Sequence, residues 1–127
     1  MNGHTLLQGL YHRLSEKVNI PVFITPPEET DYPYLLINVP AFQRYEGHTQ
    51  FSATFTLFTL KGQEPQRLDL AATMTDSLEP PRGFVHDHQT FCLKAAHTEQ
   101  PPMPTGIHAI AYHYQGRITP LMNASTM

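Results

Sequence analysis

Five of the eight histidines of this 127-residue chain fall in its last 42 positions. His86-Asp87-His88 is the pattern closest to a metal site. On a strand, alternate residues share a face, so His86 and His88 would both reach one ion. Two imidazoles are too few for a closed site. His97, His108 or His113, from adjoining strands, are the available third ligands. Polar residues on a sheet edge or at an interface explain the same pattern without an ion. The expectation is therefore no bound metal, with His86, His88 and His108 the candidates should one bind. The acidic residues Glu28, Glu29 and Asp31 share one loop, too loosely held for a general acid–base pair. There is no Gly-rich phosphate loop, no Ser-His-Asp arrangement and no Cys-His motif. The residues thus point away from catalysis, and no cofactor is expected. Tyr32, Tyr34, Phe42 and Tyr45 would form a stacking surface for bases or sugars. With Arg44 the sole basic neighbour, they read better as strand-pairing or interface aromatics.

The bulk composition narrows the partners. Charged residues are 15% of the chain and hydrophobic residues 40%, against about 25% charged in an ordinary soluble domain. Such a surface is either covered by other protein or made polar by Thr, Gln and His. The net charge is −3, with Lys and Arg scattered. No basic face exists to neutralise phosphates, which argues against sequence-specific nucleic-acid binding. Cys92 is the single cysteine. It excludes an internal disulfide, fits a reducing cytosol, and sits in a strand where a small buried hydrophobe is expected. Neither a signal peptide nor a membrane span is legible.

The elements follow from periodicity. Thr5-Leu6-Leu7-Gln8 has capping-box spacing, with Thr5 as N-cap. Leu6, Leu7, Leu10, Tyr11, Leu14 and Val18 then form a helical stripe, weakened by Gly9 and closed by Pro21. Val22 to Ile24 is a short strand, and 25–31 a proline-rich acidic loop. Tyr34 to Val39 is apolar on both faces and reads as a central strand stopped by Pro40. Positions 41–50 read as a polar connection turning at Gly47. In the strand Phe51 to Leu60, Phe51, Ala53, Phe55 and Leu57 face opposite to Ser52, Thr54 and Thr56. A second helix runs from Pro65 to Leu78, with Leu68, Ala71, Ala72, Thr75 and Leu78 as its inward stripe. Two long strands lie within 83–98 and 106–118, joined by the stiff segment 100–105. The fold class is α+β: a mostly antiparallel sheet with two helices on one face, in the order α-β-β-β-α-β-β. Residues 1–118 make a single domain, and 119–127 a loose tail.

This layout resembles the tail completion or tail terminator proteins of long-tailed phages, the small subunits at the head–tail junction. The positions that carry the resemblance are Leu7 and Leu10, Pro21-Val22, Tyr32-Pro33-Tyr34, the strand 51–60, the helix 65–78 and the strand pair 84–114. It covers roughly Leu6 to Ile118. The chain lacks the aromatic-rich dipeptide that often closes the third strand in relatives. The resemblance implies a non-enzymatic virion assembly protein, present in the host cytoplasm during assembly and then in the neck. It implies a homo-oligomeric ring, a hexamer, that contacts the tail tube protein and the head connector proteins. Tyr34, Phe42, Tyr45, Pro101, Pro102 and Met103 are the expected interface residues, with loops 25–31 and 99–105 reaching neighbours or the channel. The other class to weigh is a small metal- or ligand-binding α+β domain that uses the strand histidines.

Overall fold

The computed structural model describes residues 3–121. The chain runs α1 (Gly3–Lys17), β1 (Val22–Phe23), β2 (Tyr34–Tyr45), β3 (His48–Leu60), α2 (Glu64–Leu78), β4 (Phe84–His86), β5 (Gln89–Glu99) and β6 (Ile107–Pro120). One six-stranded sheet has the order β1-β2-β3-β6-β5-β4. Only β1 and β2 pair in parallel; all other neighbours are antiparallel. The expected α+β class, with both helices on one face, is what the chain adopts. The strand expected within 83–98 is itself a hairpin of β4 and β5.

The core lies between the helices and one sheet face. Leu6, Leu10 and Leu14 of α1 meet Leu35 and Ile37 of β2, Phe55 and Leu57 of β3, and Tyr114 and Ile118 of β6. The alternation of β3 is preserved in full: Phe51, Ala53, Phe55 and Leu57 are buried and the residues between them are not. Such alternation follows from the period-2 geometry of a half-covered strand.

Four expectations need correction. First, α1 starts at Gly3, two residues before Thr5, so Thr5 lies inside its first turn rather than capping it. Second, Pro40 does not stop β2. One extra residue is accommodated between Asn38↔Thr54 and Ala41↔Ser52, and pairing continues to Tyr45↔His48. A bulge is where a strand tolerates a residue without an N–H. The strand is also central only at its start, since β1 pairs with Leu35 and Leu36 alone. Gly47, at φ 86°, does form the turn, which shrinks to Glu46-Gly47.

Third, α2 buries Leu70, Met74, Ser77 and Leu78, while Leu68 is 62% exposed. The buried face is rotated from the expected stripe: Leu70 and Met74 enter the core together with Leu78. Fourth, Cys92 is exposed. Phe91 and Leu93 take the helix-covered face of β5, so strand parity turns Cys92 outward. Of the expected tail, Thr119 and Pro120 still pair with β5, and the Leu121 N–H donates to the His88 carbonyl at 2.9 Å. Residues 122–127 lie outside the described residues.

Polar contacts lock the helices to the sheet. Arg13 reaches from α1 to donate its Nε–H to the Ser77 carbonyl at 2.8 Å, in the last turn of α2 where carbonyls lack helical partners. Its guanidinium also lies 5.0 Å above the Phe84 ring. Glu79, just past α2, accepts the Ala95 N–H at 2.7 Å. That bond holds an irregularity in β5, where one extra residue falls between Ala95↔Tyr114 and His97↔His113.

Candidate functional site

The candidate residues are spread over both faces of the sheet: Tyr34, Tyr45, His97 and His113 face away from the helices, whereas Phe42, His86 and His108 share the helix-covered face. Tyr34, opposite Phe58, stacks on it with ring centroids 4.7 Å apart, and Phe23 meets Tyr34 edge-on at 5.8 Å. Tyr32 adds a tilted contact to Tyr34 at 5.3 Å. Tyr34 is thus part of a half-buried aromatic cluster rather than an isolated exposed ring.

Phe42 and Tyr45 lie further along the β2–β3 arm and are 43% and 46% exposed. Tyr45 stacks on His48 across the turn, at 5.0 Å. Phe42, opposite Phe51, lies on the helix-covered face beside Gly3, while Tyr45, opposite His48, lies on the other face. Pro101, Pro102 and Met103 are elsewhere, in the loop between β5 and β6. With Arg67, Thr59 and His108 they line a cleft of about 490 Å³. The expected interface residues therefore lie in three places: Tyr34 in the aromatic cluster at the start of β2, Phe42 and Tyr45 far along the hairpin arm, and Pro101, Pro102 and Met103 in the proline loop.

The histidine candidates are not brought together. His86 ends β4 and stacks on His12 of α1 at 5.3 Å. Asp87 and His88 form the β4–β5 turn, with φ of 51° and 60°. Two successive residues at positive φ make the turn type that suits a two-residue hairpin. His86 and His88 are thus not alternate residues of one strand. His108 pairs with Thr59 near the start of β6, while the β4–β5 turn flanks its end. The separation along the strand is roughly 40 Å at about 3.3 Å per residue.

A different cluster does form. His97 and His113 face each other across β5 and β6, with rings stacked at 4.4 Å. Glu99 lies beside both, its Oε1 3.4 Å from His97 Nε2 and its Oε2 3.6 Å from His113 Nε2. His113 Nδ1 is 3.0 Å from the Thr54 hydroxyl. Sequence spacing hides this trio, because the extra residue in β5 sets His97 opposite His113.

The ionisation of three tyrosines reports on both faces. Burial pushes the Tyr34, Tyr112 and Tyr114 phenols above their usual 10.0. The Arg67 guanidinium beside Tyr112 and the Thr75 hydroxyl beside Tyr114 oppose that rise in part. A raised folded value means that the folded chain holds protons that the unfolded chain has released. The contribution of these three phenols to stability is therefore constant below about pH 10 and is lost as pH rises through the folded values. A thermal-melt series from about pH 8 to about pH 11 should show a flat Tm and then a decline. A Tm unchanged at the alkaline end would refute burial of these phenols.

No family model matches the chain, and no curated protein matches it in sequence. Among solved structures, it is similar to a chain of "Virion of native gene transfer agent (GTA) particle", with a TM-score of 0.68. The likeness spans 91% of this chain and 96% of that one, at 15% identity. The two chains share a fold along nearly their whole lengths. No helix among the described residues is long and apolar enough to cross a membrane.

Proposed function

We propose that this protein is a structural subunit of a phage or prophage virion, a tail completion or tail terminator protein that forms a ring at the head–tail junction. The near full-length fold shared with a chain of a gene transfer agent virion carries this reading. Domain folds host many functions, so the surface must supply the rest. Two patches at different places, the Phe42/Tyr45 arm and the proline loop, suit head-to-tail association. Unlike patches that meet generate closed rings when the rotation closes. The ring, a hexamer, would stack on the tail tube protein and offer its other face to the head connector, assembling in the host cytoplasm and remaining in the virion neck. The chemistry proposed is assembly, without catalysis. The alternative, a binding domain built on His86, His88 and His108, loses support because these side chains lie apart.

Light scattering over a concentration series, with electron microscopy, tests the ring. It should be run on the untagged protein alone and with purified phage tail tubes. The wild type should give rings, free or capping tubes. Phe42→Ser with Tyr45→Ser should reduce ring formation at least about tenfold, as expected when an interface loses about 1.4 kcal/mol or more, with Tm little changed. A protein that stays monomeric both alone and with tubes would overturn the reading.

A further inference from the structure

We infer that His97, Glu99 and His113 form a binding site for a divalent transition-metal ion of the zinc class on the open face of the sheet. The donor atoms of the three residues all lie within 4.8 Å of one another. The two nitrogen-to-carboxylate separations, 3.4 and 3.6 Å, are long for charge-assisted hydrogen bonds, which close to about 2.7–2.9 Å. They match the spacing of neighbouring ligands around a tetrahedral ion. Bonds of about 2.0–2.1 Å to the ion place such ligands ~3.3 Å apart.

Three further features fit a built site. His113 Nε2 is buried and has no hydrogen-bond partner, an orphaned acceptor or donor that a buried position does not normally leave. Its other nitrogen, Nδ1, is bonded to Thr54, which fixes the ring with Nε2 toward Glu99. A ligand histidine is commonly oriented this way by a partner on its second nitrogen. Finally, the extra residue in β5 sets His97 opposite His113, and Glu79 holds it by accepting the Ala95 N–H. Bulges commonly re-aim a side chain in this manner.

Two imidazoles and one carboxylate are a mixed nitrogen and oxygen donor set, which suits zinc and its neighbours rather than magnesium or calcium. Three protein ligands leave one position for water. His97 and Glu99 are 60% and 61% exposed, so that position faces solvent. A bound ion would add a further link between β6 and the outer part of β5, whose far edge no strand among the described residues covers beyond Phe91. The site does not depend on the ring reading.

The test uses untagged protein stripped with a chelator and dialysed against Zn2+, with metal measured per chain. Co2+ substitution supplies a second readout through its visible absorption. The expected result is one ion per chain and the strong visible bands of tetrahedral Co2+. His97→Gln and Glu99→Gln, both on exposed side chains, should each abolish stoichiometric uptake and leave the melting of the metal-free protein unchanged. Thr54→Val should weaken binding about 10–100-fold, the usual effect of removing an orienting partner. His86→Gln with His88→Gln should change nothing. Absence of uptake by the wild type, or uptake that survives His97→Gln and Glu99→Gln, overturns the assignment.

Discussion

Phe55→Ala should lower the free energy of unfolding by roughly 3–5 kcal/mol. Phe55 is fully buried and sits on β3, paired with Ile37 on one side and Tyr112 on the other. Its ring meets Tyr114 edge-on at 5.4 Å, so truncation removes an aromatic pair as well as apolar area. The surrounding strands are fixed by their own ladders, and a cavity there collapses little. Denaturant titration checks the value, with an unchanged slope showing that only stability moved. A loss below about 1 kcal/mol would be that of an ordinary substitution and would contradict burial at the centre of the core.

Gly116→Ala is the second large effect, and its sign opposes intrinsic preference. Alanine ordinarily improves on glycine in regular structure. Gly116, however, lies directly opposite Phe51, and the Phe51 ring covers it, so that an added Cβ would overlap three ring atoms. Phe51 is 3% exposed and has little room to leave. Overpacking of this kind costs about 1–3 kcal/mol. The check is a double-mutant cycle. In a Phe51→Ala background the clash is gone, and Gly116→Ala should become neutral or stabilising. Additive losses would show that the ring does not occupy that space.

Gly9 obeys the same logic on the helix. It reads in the sequence as a weak point of α1, yet a side chain there would run into Phe91. The chain gives up helix propensity to let an aromatic ring touch the backbone.

The contrast between legible and hidden features has a physical pattern. The stripe Leu6, Leu10, Leu14 and the alternation from Phe51 to Leu57 were readable because each element has one covered face and a strict period. Position-specific irregularities were not. Pro40 is tolerated by a bulge that no composition rule reveals. α2 turns Leu70 and Met74 into the core and leaves Leu68 outside it. The outward turn of Cys92 rests on which parity Phe91 claims. The histidines are the clearest case. His86-Asp87-His88 is conspicuous as a sequence pattern and becomes a turn with both φ values positive. His97 and His113, sixteen positions apart, become neighbours through a register that one extra residue sets. Metal-ligand geometry across strands depends on register, and register is a property of the assembled sheet.

The sheet order also governs how the chain can fold. Its central ladder joins β3 to β6, with Thr49 paired to Ile118 and Leu60 to Ile107. Every residue of α2, β4 and β5 lies in the loop that this pairing must close. Closing long loops before any reward from the contacts slows folding. During synthesis, α1, β1, β2 and β3 emerge first and leave the edge of β3 that will face β6 unpaired until β6 arrives. An unpaired strand edge recruits other chains. Growth temperature and expression rate should therefore govern soluble yield more than final stability does, because the vulnerable interval ends only when the last strand slots into the middle.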